Sequence, residues 1–133
     1  MDFALTPTQV EFRDRARAVA EKLAPDYKAR ERAGRIDPEL RRAIGAAGLI
    51  APELPVELGG QGLSYLDAVL VIEEMAKKCG PSARIVVETN MGAIGAIVKY
   101  GTPAQRKLAA DIVLSGDKPA ICITEPEAGS AAT

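Results

Sequence analysis

The chain has 133 residues, of which 47% are hydrophobic and 26% charged, a composition typical of one ordinary globular domain. Its formal net charge of −1 gives no electrostatic reason to expect binding to nucleic acid or to an anionic membrane. The sequence contains no histidine, so Ser-His, Cys-His and His-metal sites are excluded within it.

The first predicted helix begins at residues 6–9, Thr-Pro-Thr-Gln, where an N-cap threonine, a proline and a glutamine form a capping box. Apolar residues then recur at helical spacing up to Leu23, and Pro25 is expected to break or kink the helix. The charged segment 26–35 predicts a short second helical piece with a solvated face. Asp37 and Pro38 start another helix, which Gly48 ends.

Residues 49–63 are rich in proline and glycine and predict a long loop. Its Gly-Gly-Gln-Gly run at 59–62 resembles a phosphate-binding loop, but no strand precedes it and no lysine follows the glycines, so we reject that interpretation. Ser64 is then expected to cap a broadly apolar helix, which Gly80 and Pro81 end.

The most apolar element is predicted to be one central helix from about Pro81 to Tyr100. Gly92 and Gly95 lower its helix propensity by about 1 kcal/mol each relative to alanine. A close approach by a backbone or ligand and tight helix packing explain these glycines equally well. Arg84 and Glu88 lie one turn apart, and their simplest interpretation is a surface ion pair.

The last helix begins at residues 102–105, which repeat the capping-box pattern, and ends at Ser115 and Gly116. We expect three of its apolar side chains to point inward: Leu108, Ile112 and Val113. After it, the apolar run 120–123 predicts a buried strand. Because one strand cannot satisfy its own ladder groups, its partners must come from further sequence or another chain, and the bare edge and exposed helix faces predict aggregation or obligate assembly.

The N-terminal residues, the apolar stretches and the two cysteines bear on where the protein is located. The first residues lack the basic start and apolar core of a signal peptide, and no apolar stretch approaches about 18 residues, so we expect a cytoplasmic protein without membrane insertion. Cys79 and Cys122 have no metal-ligand spacing, and we expect both to be reduced core residues, with no metal site.

Four motifs occur in register along the whole chain. They are PVELGGQGLS at 55–64, YGTPAQR at 100–106, SGD at 115–117 and TEPEAGS at 124–130. Together they resemble the acyl-CoA dehydrogenase family. The resemblance implies a mainly α fold, in which residues 1–118 are the family's N-terminal helical bundle domain. Residues 119–133 would then be the first strand and flavin-binding loop of a truncated middle β domain.

The activity that the resemblance implies is oxidation of the Cα–Cβ bond of an acyl-CoA thioester with FAD, and electron-transfer flavoprotein is a candidate acceptor. The catalytic carboxylate of the family comes from its C-terminal domain, and no glutamate here matches it. We therefore expect this segment alone to be inactive and to work with the rest of the dehydrogenase or a complementary subunit, in a homo- or hetero-oligomer. The alternative is a non-catalytic helical interaction module derived from the family.

The resemblance also implies site residues. Ile121, Ile123 and Thr124 would lie along the flavin, and Gly129 and Ser130 would line the loop that cofactor and substrate phosphates pass. The family pattern continues with aspartate where this chain has Ala131, a departure that bears on loop geometry and flavin affinity.

The family's central helix forms part of the wall around the acyl chain. The residues that this implies here are Arg84, Ile85, Glu88, Thr89 and Gly92, together with Ser130 as a substrate contact. We hypothesise that Arg84 pairs with a carboxylate or another polar acyl tail.

Overall fold

The computed structural model describes residues 3–35 and 37–130, and these residues form seven α-helices. Their bounds are α1 (Pro7–Leu23), α2 (Tyr27–Arg32), α3 (Pro38–Ala46), α4 (Tyr65–Ala76), α5 (Gly80–Asn90), α6 (Ala93–Tyr100) and α7 (Pro103–Leu114). Short 3₁₀ turns lie at Ala24–Asp26 and Val56–Leu58. The mainly helical fold class is therefore confirmed. In this part of the chain, none of the helices has the length and apolar character needed to span a membrane.

Side-chain caps set where the helices begin. The Thr6 hydroxyl accepts a hydrogen bond from the Gln9 backbone N–H at 3.3 Å, and the Gln9 side chain accepts one from the Thr6 N–H at 2.9 Å. Thr102 and Gln105 repeat the arrangement at α7, at 3.3 Å and 2.8 Å. Such bonds satisfy N–H groups that have no partner inside the helix, so the predicted starts of these helices are confirmed.

Helices α1, α4 and α5 pack together as the centre of the molecule. Small alanines on α1, such as Ala16 and Ala20, allow it to approach α4 closely, and both are buried. Val71 and Met75 on α4 are fully buried, as is Val86 on α5. This core positions α5, whose other face lines the site described below.

An ion-pair cluster crosses the α1–α4 interface. The buried Glu74 carboxylate accepts hydrogen bonds from Arg17 Nε at 3.0 Å and from Lys77 Nζ at 2.8 Å. These two cations lower the pKa of Glu74 to about 2. The cluster therefore contributes stability as long as Glu74 is ionised.

The predicted single helix from Pro81 to Tyr100 is wrong, since α5 ends at Asn90 and α6 begins at Ala93. Gly92, at the junction, has φ 71° and ψ −120°, a conformation that side chains with a Cβ rarely adopt. The buried Asn90 amide supports the break, because it donates to the Val86 carbonyl at 2.8 Å and accepts from the Glu53 N–H at 3.2 Å.

The predicted strand over 120–123 does not form in the described structure. Residues 117–124 have no regular structure, and the following residues close a turn through a bridge between Glu125 and Ala128. An isolated extended segment has no neighbouring strand to satisfy its backbone groups, which is why the apolar run alone does not make a ladder.

Three other expectations need correction. Leu108 is 62% exposed, so only Val113 and, in part, Ile112 point inward from α7. Cys122 is exposed, whereas Cys79 is buried as expected. Helix α4 ends at Ala76, before the predicted stop, because the Gly-Pro pair at 80–81 forms the start of α5 instead.

Candidate functional site

A cleft of about 340 Å³ lies between α5 and the segment 118–121. We call it the α5 cleft. Helix α5 contributes Arg84, Val87 and Glu88, and residues 118–121 form the opposite wall. Met91 and Gly92 at the α5–α6 junction and Ala93 at the start of α6 complete the lining.

The α5 cleft is charged at one end and apolar at the other. The Lys118 ammonium group pairs with the Glu88 carboxylate, and one helical turn further on Ile121 lies against Gly92. A Cβ added to Gly92 would lie only 2.9 Å from Ile121 Cδ1. The positive φ of 71° is what favours glycine at 92, and the Ile121 side chain adds a close contact. This contact comes from a side chain, so neither a close approach by a backbone or ligand nor tight packing between helices, the two explanations that the sequence left open, is confirmed.

The charged end is organised around Glu88. Its Oε1 accepts a hydrogen bond from Arg84 Nε at 2.5 Å, and its Oε2 faces Lys118. The predicted ion pair between Arg84 and Glu88 is therefore confirmed. The Arg84 side chain is 72% exposed, and the pair uses Nε. Among residues 3–35 and 37–130, the two terminal guanidinium nitrogens have no hydrogen-bond partner, so they can meet a ligand.

Further positive charge lies behind this end. A second cleft of about 360 Å³ shares Arg84 and Lys118 with the first and adds Arg30, Arg35 and the single carboxylate of Glu31. Burial and the charges of Arg84 and Arg41 lower the pKa of Lys118, despite the neighbouring Glu88. The field at this end of the α5 cleft therefore favours an anionic ligand group.

The predicted flavin contacts lie on the surface. Ile121 and Ile123 are 52% and 64% exposed, and Thr124, Gly129 and Ser130 are exposed as well. Only Ile121 of this group reaches the α5 cleft. The apolar side chains and the threonine hydroxyl suit one wall of a flavin site, which needs further walls. Ala131 lies outside the described residues.

The structure does not bring all the predicted acyl contacts together. Arg84, Glu88 and Gly92 line the α5 cleft, whereas Ile85 and Thr89 are buried on the core side of α5. The Thr89 hydroxyl donates back to the Ile85 carbonyl at 3.0 Å. Their proposed contact with substrate stays a prediction, without a place in this cleft.

Sequence reasoning missed Lys118 and Met91 as cleft residues. Met91 directly follows α5, one turn after Val87, and both line the cleft. Lys118 had a weak signal, since it lies two residues before the start of the predicted strand. Within residues 3–35 and 37–130, no three side chains of the metal-binding types cluster closely enough to hold a metal ion.

Comparison with known proteins identifies the family. The family model described as "Acyl-CoA dehydrogenase, N-terminal domain" matches residues 6–117. The chain belongs to the acyl-CoA dehydrogenase family. The resemblance seen in the four sequence motifs is thereby confirmed.

Relatives within the acyl-CoA dehydrogenase family include the 3-sulfinopropanoyl-CoA desulfinase of Variovorax paradoxus, which is 54% identical over 132 residues. That match covers 98% of this chain and 33% of the relative. Among solved structures, the butyryl-CoA dehydrogenase of Megasphaera elsdenii superimposes with a TM-score of 0.84 at 31% identity, over 99% of this chain and 36% of that one.

A chain in the solved structure of the electron transferring flavoprotein of Acidaminococcus fermentans superimposes with a TM-score of 0.88 at 32% identity, over 99% of this chain and 35% of that one. The helical fold is thus the N-terminal helical domain of acyl-CoA dehydrogenases. The chain spans about a third of the length of the proteins it matches.

Proposed function

We propose that this chain is the N-terminal helical part of a flavin-dependent enzyme that acts on a short acyl-CoA thioester with an anionic group at the end of its acyl chain. The observation that carries this proposal is the pair of cations, Arg84 and Lys118, that share the single carboxylate of Glu88 at one end of the cleft, whose other end is apolar. Arginine is suited to oxyanions because its guanidinium can donate two parallel hydrogen bonds.

The substrate named for the Variovorax paradoxus relative fits this chemistry, because a 3-sulfinopropanoyl group ends in a sulfinate. Our first candidate reaction is therefore desulfination. In that reaction 3-sulfinopropanoyl-CoA and water give propanoyl-CoA and sulfite: the C–S bond breaks, and the carbon takes a proton. Atoms and charge balance without an external oxidant.

The second candidate is Cα–Cβ oxidation, the reaction that the family resemblance implies; the Megasphaera elsdenii relative is named as a dehydrogenase of butyryl-CoA. It requires an electron acceptor, for which FAD and an electron-transfer flavoprotein are the candidates. In this proposal Ile121, Ile123 and Thr124 hold one side of the flavin, and Gly129 and Ser130 provide backbone and hydroxyl donors for phosphate oxygens. The bound flavin would supply a hydride acceptor.

This chain's own share of the work is to bind and orient the substrate. Arg84 fixes the far end of the acyl chain, and the apolar wall of Met91 and Ile121 excludes water from its carbon atoms. No carboxylate here is proposed as the catalytic base. That group belongs to the rest of the enzyme or a complementary subunit, so we propose that the segment alone is inactive.

An exposed apolar face supports assembly with such a partner. Tyr100 is 77% exposed and Leu108 62% exposed, and they line a groove of about 450 Å³ between α6 and α7. Exposed apolar surface of this kind is typical of interfaces. We propose that the remainder of the dehydrogenase or a second subunit covers it in an oligomer.

The test uses the flavin-loaded enzyme that contains this chain. Sulfite release from 3-sulfinopropanoyl-CoA and flavin bleaching by butyryl-CoA separate the two candidate reactions. Arg84→Ala should remove most of the activity on the sulfinate substrate. The matched control is Arg42→Ala, which disrupts a similar exposed ion pair with Glu39 on α3, outside the cleft. Absence of both activities and of retained flavin would contradict the proposal and favour a non-catalytic module.

A further inference from the structure

Two cations at the charged end of the α5 cleft share one carboxylate. Glu88 uses one oxygen for Arg84 Nε, at 2.5 Å, and the other for Lys118. The three side chains therefore carry one uncompensated positive charge. Glu88 is 21% exposed and Lys118 31% exposed, so their charges are partly shielded from water.

The two cations come from separate parts of the chain. Arg84 lies on the first half of α5, whereas Lys118 follows α7 and begins the strip that forms the opposite wall. A ligand group in the cleft would therefore meet one cation from each wall. Because Arg84 and Lys118 pair with the same carboxylate, they lie close enough to repel one another, and an added anion would reduce that repulsion. Burial and the charges of Arg84 and Arg41 lower the pKa of Lys118, in agreement with this.

We propose that Lys118 is a second specificity-determining residue for the anionic end of the acyl group. Lys118 contacts the oxyanion from the side opposite Arg84. Glu88 keeps both cations at the mouth of the cleft: it holds Arg84 by Nε and leaves the terminal nitrogens for the ligand. This inference rests on the proposed function, because it assigns a residue to the same anion-binding end.

The geometry explains why a second cation is useful. Arg84 is largely exposed, and the contribution of an exposed charge pair is reduced by water and salt. Lys118 is better shielded, so its interaction with a ligand anion is screened less. Selectivity against an uncharged acyl group should therefore depend on Lys118 as well as on Arg84.

The experiment measures dissociation constants by titration calorimetry with the flavin-loaded enzyme. Succinyl-CoA and butyryl-CoA are the probes, since both have four acyl carbons and only the first ends in a carboxylate. Lys118→Met keeps the apolar stem but removes the charge. We expect it to reduce the preference for succinyl-CoA about tenfold, with butyryl-CoA binding within about twofold of the wild type.

Two further variants control for a structural role. Lys118→Arg keeps the positive charge and should retain most of the preference. Lys107→Met removes a lysine on α7 that is more exposed than Lys118, at 73% against 31%, and that also pairs with a single carboxylate, Asp111, at 2.8 Å; it should leave both constants unchanged. If Lys118→Met weakened both probes equally, Lys118 would only hold the strip to α5, and the inference would be overturned.

The inference and the proposed function can fail separately. If Arg84→Ala lowers the preference and Lys118→Met does not, the anion site stands and the role of Lys118 is rejected. If Arg84→Ala also leaves the preference unchanged, the proposed function itself is rejected. If both act on one ligand group, the effect of Lys118→Met should shrink in the Arg84→Ala background.

Discussion

The helical core and the segment 118–130 satisfy their backbones in different ways. Helices α1, α4 and α5 make their hydrogen bonds locally and bury side chains such as Met75 completely against each other. The segment 118–130 forms no helix, and its apolar Ile121 and Ile123 are more than half exposed. The backbone N–H and C=O groups of an extended segment need a neighbouring strand as a hydrogen-bond partner, whereas those of a helix bond within the helix. The fold of the core is thus explained by contacts within this chain, whereas we propose that the segment 118–130 completes a site together with atoms from elsewhere.

The sharpest contrast should come from truncating a core side chain. Met75→Ala removes a fully buried side chain from α4 and should lower the free energy of unfolding by about 3 kcal/mol, because it leaves a cavity. Leu66→Ala, at a position on α4 that is 52% exposed, is the control and should change it by less than about 0.5 kcal/mol. Urea unfolding of the enzyme, followed by circular dichroism, measures both; similar losses would contradict the division between core and surface.

The two glycines of the predicted central helix should respond in opposite directions. Gly92→Ala forces a Cβ into a left-handed conformation and against Ile121, and should destabilise by about 2 kcal/mol. Gly95→Ala meets nothing closer than the Asn90 carbonyl at 4.0 Å and lies inside α6, so it should stabilise by up to about 1 kcal/mol. Hydrogen exchange of the α5 and α6 amides reports both changes. Equal effects would argue for one continuous helix.

The ion-pair cluster at Glu74 should make core stability depend on pH. The folded-state pKa of Glu74 is lowered from 4.5 to about 2, so its contribution is present above about pH 4.5 and is lost as the pH falls toward 2. Glu74→Gln should cost about 1–2 kcal/mol at pH 7 and much less at pH 2. Urea unfolding midpoints of the wild type and the variant, measured from pH 2 to pH 7, test this prediction. A loss of stability that is the same at every pH would contradict the explanation by charge.

The smallest effect on stability is expected in the segment itself. Ile123→Ala removes a side chain that is 64% exposed and should change the free energy of unfolding by less than about 0.5 kcal/mol. If Ile123 contacts flavin as proposed, the same variant should still bind FAD more weakly, which fluorescence titration of the apoprotein measures. A large loss of stability with unchanged FAD binding would show that Ile123 belongs to the packed core and does not contact the flavin.

The sequence predicted helix starts better than helix continuity. The helix starts at Thr6, Ser64 and Thr102 can be read from the sequence alone, because each capping box joins two residues that are three positions apart. The break at Gly92 escaped prediction because the apolar spacing continues in phase across it. Only the folded structure shows the positive φ of Gly92 and its contact with Ile121, which explain the glycine.

Prediction of the site was also limited by contacts between residues that are far apart in the sequence. Arg84 and Glu88 were found because they lie one turn apart on a helix. Lys118 contacts Glu88 from a distant part of the sequence, and no local sequence pattern predicts that contact. The flavin contacts rest on motif resemblance alone, since the described residues supply only one wall around them.

The central claim is that the cleft beside α5 selects an anionic acyl group through Arg84. The most direct measurement compares the dissociation constants of succinyl-CoA and butyryl-CoA in the flavin-loaded enzyme, before and after Arg84→Ala. We predict that the wild type prefers succinyl-CoA and that the variant loses about tenfold of that preference. A wild type without preference, or a variant that keeps it in full, would contradict the account.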